Sequence, residues 1–397
     1  MAVPAVRRRS LSTISVFLLA FAFLAASMDR DLNIFDEGII LANVMLVHAG
    51  EVIHRDFYSL YGPATFYIIS TLFHLSAAKF LMARLYGLVV MAAIVALTFE
   101  SMAGRIRWSV LAVTTICCGL LLFSSPFYLY PLFPCLLLAL AGSLLLMEPE
   151  AILKPSALAG AGACAGAAAY FRYDTGFFLL LSHLLAVAIL LRLQRPRGDR
   201  LRPLMRAALF YGGAAGLVFL PGAIAFASVS PLSAFTTDIV EYSTKYYAEM
   251  RGMPFPSLRE VYWSWDLANI YLPLAAVAAA GFEIWRRLPE DRAAERQDGI
   301  VQSCLVIFAI LAAGLYYKGV VRVSALHLLM SIIPGMILLA ICADAWWTRG
   351  GAIARSGAIG ALLIIVVPSA DAARQEMTKD LNDPARSILG WLMLPAA

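Results

Sequence analysis

The chain has 397 residues, of which 61% are hydrophobic and only 14% are charged, and its mean hydropathy is +0.79. This balance excludes an ordinary soluble domain, in which about a quarter of the residues are charged, and predicts a protein with several membrane spans. The net charge of +5 is no sign of a nucleic-acid partner, because most basic residues fall in short connectors between apolar runs, where they report membrane topology.

Apolar runs long enough to span a bilayer recur along the chain. A spanning helix needs about 20 apolar residues, and by that measure the sequence predicts about eleven spans. They lie near residues 11–28, 80–102, 108–124, 127–147, 156–171, 175–192, 207–228, 269–285, 300–317, 324–343 and 356–370. The apolar stretch 64–76 is shorter and contains His74, so we predict an interfacial or re-entrant helix there.

The arginines predict the orientation. With a cytoplasmic amino terminus, the cytoplasmic connectors include the Arg-rich segments 7–9, 105–107, 192–206, 286–296 and 349–355, as the positive-inside rule requires. If residues 64–76 crossed the membrane, every later Arg-rich connector would face outward, against the positive-inside rule. The start of the chain also resembles a signal peptide, but no convincing small-residue cleavage site precedes Asp29, which favours a retained anchor. The outer face then receives the loops 29–79 and 229–268 and the residues after Asp371.

The first outer loop, residues 29–79, carries a dense block of polar motifs. Asp36-Glu37-Gly38 is followed by Arg55-Asp56-Phe57 and by Tyr61-Gly62-Pro63. Adjacent carboxylates and an Arg-Asp pair at a membrane face indicate a functional site. Two structural alternatives stay open. The acids also suit the amino-terminal end of a helix over 37–49, and Arg55 with Asp56 also suits a plain salt bridge.

Two later outer turns carry charged residues beside long apolar helices. Arg172-Tyr173-Asp174 joins two predicted spans, and Lys318 and Arg322 precede His327 on the next predicted span. Arginine binds a phosphate through a bidentate fork and lysine binds it as a point charge, so these residues are candidate phosphate contacts. The alternatives are a polar connector at the membrane edge and cations that snorkel from a helix end. The aromatic residues of the loop 229–268 are equally suited to be interfacial anchors.

The order of these motifs resembles the opening of the GT-C membrane glycosyltransferases. One span, Asp36-Glu37-Gly38, a helix ending near Gly50, Arg55-Asp56-Phe57 and Tyr61-Gly62-Pro63 are similar to the bacterial branch that includes lipid A aminoarabinose transferase and the protein O-mannosyltransferases. The resemblance implies one all-α membrane domain over residues 1–397, with interfacial helices in the first outer loop. It also implies transfer of a sugar from a polyprenyl-phosphate carrier to a glycan, lipid or protein acceptor. The site would face outward from the cytoplasmic membrane.

The resemblance further implies roles for individual residues. Asp36 matches the first acid of the family's pair and is the expected base for the acceptor hydroxyl, with Glu37 as its substitute or orienting partner. By analogy the reaction proceeds by direct displacement with inversion at the anomeric carbon. The expected substrate-binding residues are Arg55, Asp56, Tyr61, Arg172, Asp174, Lys318, Arg322 and His327.

No cofactor is expected from the sequence. A glycosyl phosphate brings its own leaving group, so the protein chiefly supplies a base and cations. A divalent cation would bind only if Asp36, Glu37, Asp56 and Asp174 converged, which their spacing cannot show. The sequence has no Walker loop and no dinucleotide-binding glycine motif, which favours a lipid-linked donor over a nucleotide-linked one.

Two other functional classes stay open at this point. A flippase for a lipid-linked glycan would share the multi-span layout, although the sequence shows no convincing internal repeat and its charges gather at one face. A noncatalytic scaffold for envelope assembly would keep the fold without needing Asp36. The placement of the charged residues favours the transferase.

Overall fold

The structure, a computed structural model, describes residues 3–34, 37–77, 79–194, 201–246, 249–250, 252–287 and 296–388. The expected base Asp36 and parts of the Arg-rich connectors 192–206 and 286–296 lie outside these residues. The described residues form helices and turns, with two isolated bridges and no strand. This confirms the all-α fold class.

Fifteen α-helices follow one another along the described chain. They are α1 (Val3–Ala26), α2 (Glu37–His48), α3 (Ala64–Leu75), α4 (Lys79–Met102), α5 (Trp108–Phe123), α6 (Leu132–Leu146), α7 (Pro155–Phe171), α8 (Tyr173–Gln194), α9 (Leu201–Val229), α10 (Leu232–Thr236), α11 (Leu258–Trp263), α12 (Leu272–Arg287), α13 (Arg296–Gly319), α14 (Ala325–Arg349) and α15 (Ala352–Asn382). Short 3₁₀ helices occur at Ala151–Leu153, Trp265–Ile270 and Pro384–Arg386, and Thr237–Tyr246 is a π-helix.

Every predicted span overlaps one of these helices. By length and hydropathy, six of the described helices can each cross a membrane, namely α4, α8, α9, α13 from Gly299 onward, α14 and α15. The other five predicted spans correspond to α1, α5, α6, α7 and α12, which are shorter or less apolar. The protein is therefore a multi-pass membrane protein, and the number of eleven spans stays a prediction. The segments 37–49 and 64–76 form the short helices α2 and α3.

The last helix is longer than its apolar run. The predicted span ends at residue 370, whereas α15 continues to Asn382. Its added turns carry charged pairs at helical spacing, such as Asp371 with Arg374 at 2.7 Å. Hydropathy detects only the apolar part of a helix, so it does not predict the polar turns of α15 after residue 370. Beyond the helix, Arg386 binds Asp29 at 2.5 Å and ties this segment to the first outer loop.

Helix α14 lies at the centre of the bundle and α9 lies at its edge. In the most apolar 18-residue stretch of α14, 83% of the residues are buried, against 11% in α9. α14 packs against α12, α13 and α15, whereas α9 packs mainly against α7. Leu209, Leu217 and Ile224 of α9 are exposed, as expected for side chains that face lipid.

Small residues bring α7 and α9 into close contact. A Cβ atom at Gly162 would lie 2.0 Å from the carbonyl oxygen of Tyr211, and Gly166 approaches α9 in the same way one turn later. This small-xxx-small spacing lets membrane helices pack backbone to backbone. The His183 ring of α8 is hydrogen-bonded to the Ser143 hydroxyl at 3.0 Å and the Tyr211 hydroxyl at 2.9 Å, which joins α6, α8 and α9.

The hydrogen-bond ladder of α9 is interrupted near Pro221. The Tyr170 hydroxyl accepts a hydrogen bond from the Gly222 N–H at 2.9 Å and donates one to the Phe219 carbonyl oxygen at 2.8 Å. Proline cannot donate a backbone hydrogen bond, and an inserted side chain commonly satisfies the groups that are left over. The carboxyl end of α7 is thereby fixed against the middle of α9.

Candidate active site

The connector between α7 and α8 is one residue long and consists of Arg172. Helix α7 ends at Phe171, α8 begins at Tyr173, and the Arg172 backbone is extended between them. The Arg172 guanidinium binds Asp174 on the first turn of α8, with Nη2 at 2.9 Å from Oδ2. The backbone N–H of Thr175 donates to the same carboxylate at 2.7 Å. Two predicted site residues are thus held together by the local backbone.

Lys318 joins this pair from another helix. It lies in the last turn of α13, which packs against α8, and its Nζ is 3.3 Å from Asp174 Oδ2. The side chains of Arg172 and Lys318 are only 14% and 10% exposed, so both cations lie in a partly desolvated position. Electrostatic attraction is stronger there than on an open surface.

Three aromatic residues complete the group. The Arg172 guanidinium lies over the Tyr61 ring at 5.4 Å from its centroid and donates to the Tyr130 hydroxyl at 3.4 Å. The Tyr130 ring packs edge-on against both Tyr61, at 5.9 Å, and His327, at 6.1 Å. We call Tyr61, Tyr130, Arg172, Asp174, Lys318 and His327 the polar cluster. The sequence predicted all of these residues as site residues except Tyr130.

Arg322 stands beside the polar cluster. It lies in the connector between α13 and α14, its side chain is half-buried, and its charge acts on the His327 ring together with those of Arg172 and Lys318. Among the described residues, Arg172 and Lys318 bind Asp174 and Arg322 lies near His327, so these four charged residues together carry a net charge of two positive. Such a region is suited to a phosphate group.

The Tyr61-Gly62-Pro63 motif has a structural reason to contain glycine. The Gly62 N–H donates to the Phe171 carbonyl oxygen at 3.0 Å, at the end of α7. A Cβ atom at residue 62 would lie 2.1 Å from the Tyr170 carbonyl oxygen, which is a severe clash. Glycine therefore allows the first outer loop to reach α7 and places Tyr61 against Arg172.

Replacing Gly62 with alanine should destabilise the protein by about 1–3 kcal/mol, the usual cost of forcing extra volume into a packed site. A melting curve of the purified protein measures the effect. Gly119→Ala is the matched control, because a Cβ atom there meets nothing within 4 Å. Equal melting temperatures for the two variants would contradict the proposed role of Gly62.

Glu37 lies apart from the polar cluster in a buried ion pair. Its Oε1 is 2.5 Å from Nη1 of Arg84 on α4, and both side chains are at most 2% exposed. Arg84 Nη2 also donates to the Asp31 carbonyl oxygen at 2.6 Å, and its guanidinium lies over the rings of Phe80 and Tyr128, 4.7 and 4.5 Å from their centroids. Burial raises the pKa of the Glu37 carboxyl, and Arg84 opposes that shift. This geometry favours an orienting role for Glu37 over a role as substitute base.

Arg55 and Asp56 form a local structure of their own. Arg55 binds Asp56 at 2.7 Å, and the Asp56 carboxylate accepts a hydrogen bond from the Val52 N–H at 2.7 Å. The hydrogen bond from Arg55 holds the pKa of Asp56 below its usual range. Within the described residues neither side chain contacts the polar cluster. The geometry favours the alternative of a structural salt bridge that closes the 52–56 turn.

The described carboxylates among the candidate metal ligands do not converge. Glu37 pairs with Arg84, Asp56 with Arg55, and Asp174 with Arg172 and Lys318. In the described part of the chain, no three His, Cys, Asp or Glu side chains lie together in a way that would hold a metal ion. Three of the four candidate ligands are therefore neutralised separately.

A second polar group was not predicted from the sequence. His54 Nδ1 lies 2.8 Å from Asp238 Oδ2, and His54 Nε2 lies 3.3 Å from the Tyr173 hydroxyl. His54 and Asp238 are 184 positions apart, so no spacing rule pairs them. Asp238 falls in the π-helix Thr237–Tyr246 of the loop 229–268, which we call the second outer loop. Arg84 was also missed, although a lone arginine within an apolar run is a recognisable signal of a functional or structural site.

Comparison of the sequence with protein-family models and with curated proteins finds no match. Solved structures do match. The archaeal oligosaccharyltransferase AglB from Archaeoglobus fulgidus, in complex with an inhibitory peptide and a dolichol-phosphate, aligns with a TM-score of 0.56 and 10% identity. The alignment covers 93% of this chain but only 56% of AglB. ArnT from Cupriavidus metallidurans, bound to undecaprenyl phosphate, aligns with a TM-score of 0.54 and 12% identity over 96% of this chain and 76% of ArnT.

At these identities the likeness concerns the fold. Both alignments cover almost the whole of this chain, so the shared architecture extends well beyond the first outer loop. The chain therefore shares the membrane fold of AglB and ArnT, which supports the resemblance indicated by the motifs of its first outer loop.

Proposed function

We propose that this protein is a membrane glycosyltransferase that takes a sugar from a polyprenyl-phosphate carrier and transfers it to an acceptor hydroxyl. The observation that carries the proposal is the net charge of two positive at the polar cluster, where Arg172 and Lys318 bind Asp174 and Arg322 lies near His327. These residues lie at helix ends in a protein with at least six helices able to cross a membrane among its described residues. A phosphate attached to a membrane lipid would reach such a position without leaving the bilayer.

The chemistry fits these residues. The departing group of a glycosyl phosphate is a phosphate, and cations held in place near it stabilise the charge that develops as the bond to the sugar breaks. Arg172 and Lys318 are pre-positioned by Asp174, and Arg322 adds a third cation. Asp36, from the first outer loop, is the proposed base for the acceptor hydroxyl. The reaction then inverts the anomeric carbon in a single displacement.

The fold relatives support a lipid carrier. AglB was solved with a dolichol-phosphate and ArnT with undecaprenyl phosphate, which are both polyprenyl phosphates. The positive-inside pattern of the connectors supports a position of the polar cluster at the outer face of the cytoplasmic membrane. Sugar and carrier would thus meet the acceptor outside the cytoplasm.

Lys318→Met tests the role assigned to the cations. Loss of a hydrogen bond to a charged group costs about 1.5–3 kcal/mol, so the KM for the lipid-linked donor should rise about 10- to 150-fold. The KM for the acceptor should stay nearly constant, because this side chain is assigned to the carrier phosphate. Arg322→Ala should change the donor KM in the same direction.

Lys245→Met is the matched control. Lys245 is an exposed lysine of the second outer loop that pairs with Glu241 at 2.6 Å, outside the polar cluster. Its replacement should leave both KM values unchanged. An unaltered donor KM in both Lys318→Met and Arg322→Ala would contradict binding of the carrier phosphate by these cations. It would favour the alternative that they only anchor helix ends at the membrane surface.

A further inference from the structure

Helix α8 has different surroundings on two sides at its first turn. Asp174 points toward α13, where it binds Lys318 at 3.3 Å. The preceding residue, Tyr173, contacts the Phe219 ring of α9 at 6.2 Å and the Phe235 ring of α10 at 5.5 Å. On α8, the residue that faces α9, Tyr173, is therefore directly followed by the residue that faces the polar cluster, Asp174.

Two adjoining cavities occupy the α9 side. The first, of about 330 Å³, is bounded by α9 and by the segment 230–235 and reaches His54. The second, of about 400 Å³, lies between α7, α8 and α9. Both are lined by Tyr173, Phe219 and Phe235, so they adjoin at these three side chains and together make an apolar space beside α8 and α9. Because α9 lies at the edge of the bundle, this space is next to the lipid phase.

Polar groups are concentrated at one end of this space. Asp238 accepts a hydrogen bond from His54 Nδ1 at 2.8 Å and from the Ser59 N–H at 3.3 Å. A carboxylate on Nδ1 fixes the imidazole tautomer and leaves Nε2 to interact with the Tyr173 hydroxyl at 3.3 Å. His54 adopts a left-handed backbone conformation with φ of 64°. Such strained residues concentrate at functional sites.

The charge of this end differs from that of the polar cluster. The described residues that line the two cavities include no lysine and no arginine. The charged group nearest to His54 is the Asp238 carboxylate, which repels a phosphate. A neutral hydroxyl, by contrast, can donate to and accept from the imidazole and the phenol. The carrier phosphate therefore fits the polar cluster, and an uncharged alcohol fits the end of the cavity.

We propose that the two adjoining cavities are the acceptor site and that the acceptor is a lipid with a neutral hydroxyl headgroup. Its hydrocarbon chain lies between α8 and α9, and its hydroxyl is positioned by Tyr173 and by the His54–Asp238 pair. This inference rests on the proposed glycosyl transfer. In that reaction the acceptor oxygen bonds to the anomeric carbon as the bond from that carbon to the phosphate oxygen breaks. The phosphate keeps the electron pair, and the hydroxyl proton passes to the base.

The test measures binding without a sugar donor. Full-length protein in phosphatidylcholine nanodiscs is photolabelled with a long-chain alcohol that carries a diazirine in its chain. Two matched probes replace the hydroxyl with a methyl ether or with a phosphate. The alcohol should label the segment of α9 around Phe219 about tenfold more than either matched probe, the effect expected from hydrogen bonds worth about 1.4 kcal/mol.

Variants of α9 test whether the labelled probe is bound inside the cavity. Ala223→Trp and Ala227→Trp place a large ring at two positions of the cavity wall and should abolish labelling. Leu217→Trp is the matched control, because Leu217 is 77% exposed on the same helix and lines neither cavity. Size-exclusion profiles identify which filled variant is folded. Equal labelling by the phosphate probe, or unchanged labelling in a folded filled variant, would overturn the inference.

A transfer assay separates failure of this inference from failure of the proposed function. Normal transfer by a folded Ala223→Trp or Ala227→Trp variant would reject the acceptor site and leave the glycosyltransferase standing. Alcohol labelling as expected, without transfer from any donor, would reject the glycosyltransferase instead. Asp238→Asn tests whether the His54–Asp238 pair positions the acceptor hydroxyl. It should raise the KM for the alcohol acceptor and leave the donor KM unchanged, whereas general loss of structure would change both.

Discussion

Asp36→Asn should lower the rate of sugar transfer about 10²- to 10⁴-fold, the usual contribution of a positioned general base. Asparagine has nearly the same shape but cannot accept the proton of the acceptor hydroxyl. Binding of the lipid-linked donor should persist, because the donor phosphate is assigned to Arg172, Lys318 and Arg322. Single-turnover transfer and donor binding, measured on the same preparation, report the two effects separately. Transfer at the wild-type rate would remove Asp36 from the mechanism.

Glu37→Gln is the informative comparison for Asp36→Asn. Glu37 neighbours Asp36 in the sequence but lies in a buried ion pair with Arg84. Its replacement should lower the melting temperature, because the Arg84 charge then lacks its counter-ion. A kinetic defect without a loss of stability in Glu37→Gln, together with an active Asp36→Asn variant, would make Glu37 the base.

Arg84→Met should destabilise the protein by about 3–5 kcal/mol, the typical effect of removing one partner of a buried ion pair. Glu37 would keep a buried carboxylate without its cation, and the Asp31 carbonyl oxygen would lose its donor. The change should appear as a large fall in melting temperature. Since Arg84 binds residues on both sides of Asp36 in the sequence, we also expect transfer to fall.

Arg107→Met is the matched control for Arg84→Met. Arg107 binds Asp344 at 2.6 Å, but its side chain is 41% exposed, so the expected cost is only about 0–1 kcal/mol. The double variant Arg84→Met/Glu37→Leu should recover much of the lost stability, because it removes both buried charges together. Equal melting temperatures of Arg84→Met and Arg107→Met would show that the buried pair does not stabilise the fold.

The features predicted from the sequence are those that depend on local patterns. Every long apolar run is helical, because a polar backbone in lipid must satisfy its own hydrogen bonds. The Arg172-Tyr173-Asp174 turn brings its charged residues together because its connector is a single residue. Lys318 and His327 join them because α13 and α14 pack around the same end of α8 and α6.

The features that were missed depend on contacts between distant segments. His54 meets Asp238 only because the second outer loop folds back onto the first, and no periodicity encodes that contact. The sequence predicts Glu37 as part of a reactive acidic pair and gives no sign of its partner Arg84, which is 47 positions away. The Tyr130 contact with Arg172 likewise depends on the packing of α6 beside the α7–α8 connector. Burial and ion-pair partners are properties of the tertiary structure.

The proposed function is tested most directly by a reconstituted transfer assay. The purified protein in lipid vesicles is given a panel of radiolabelled polyprenyl-phosphate sugars and an envelope extract as acceptor, with Asp36→Asn alongside. We expect label to move from one donor to the acceptor with the wild-type protein and not with the variant. Absence of transfer from every donor, with labelled lipid crossing the bilayer instead, would contradict a glycosyltransferase and indicate a flippase.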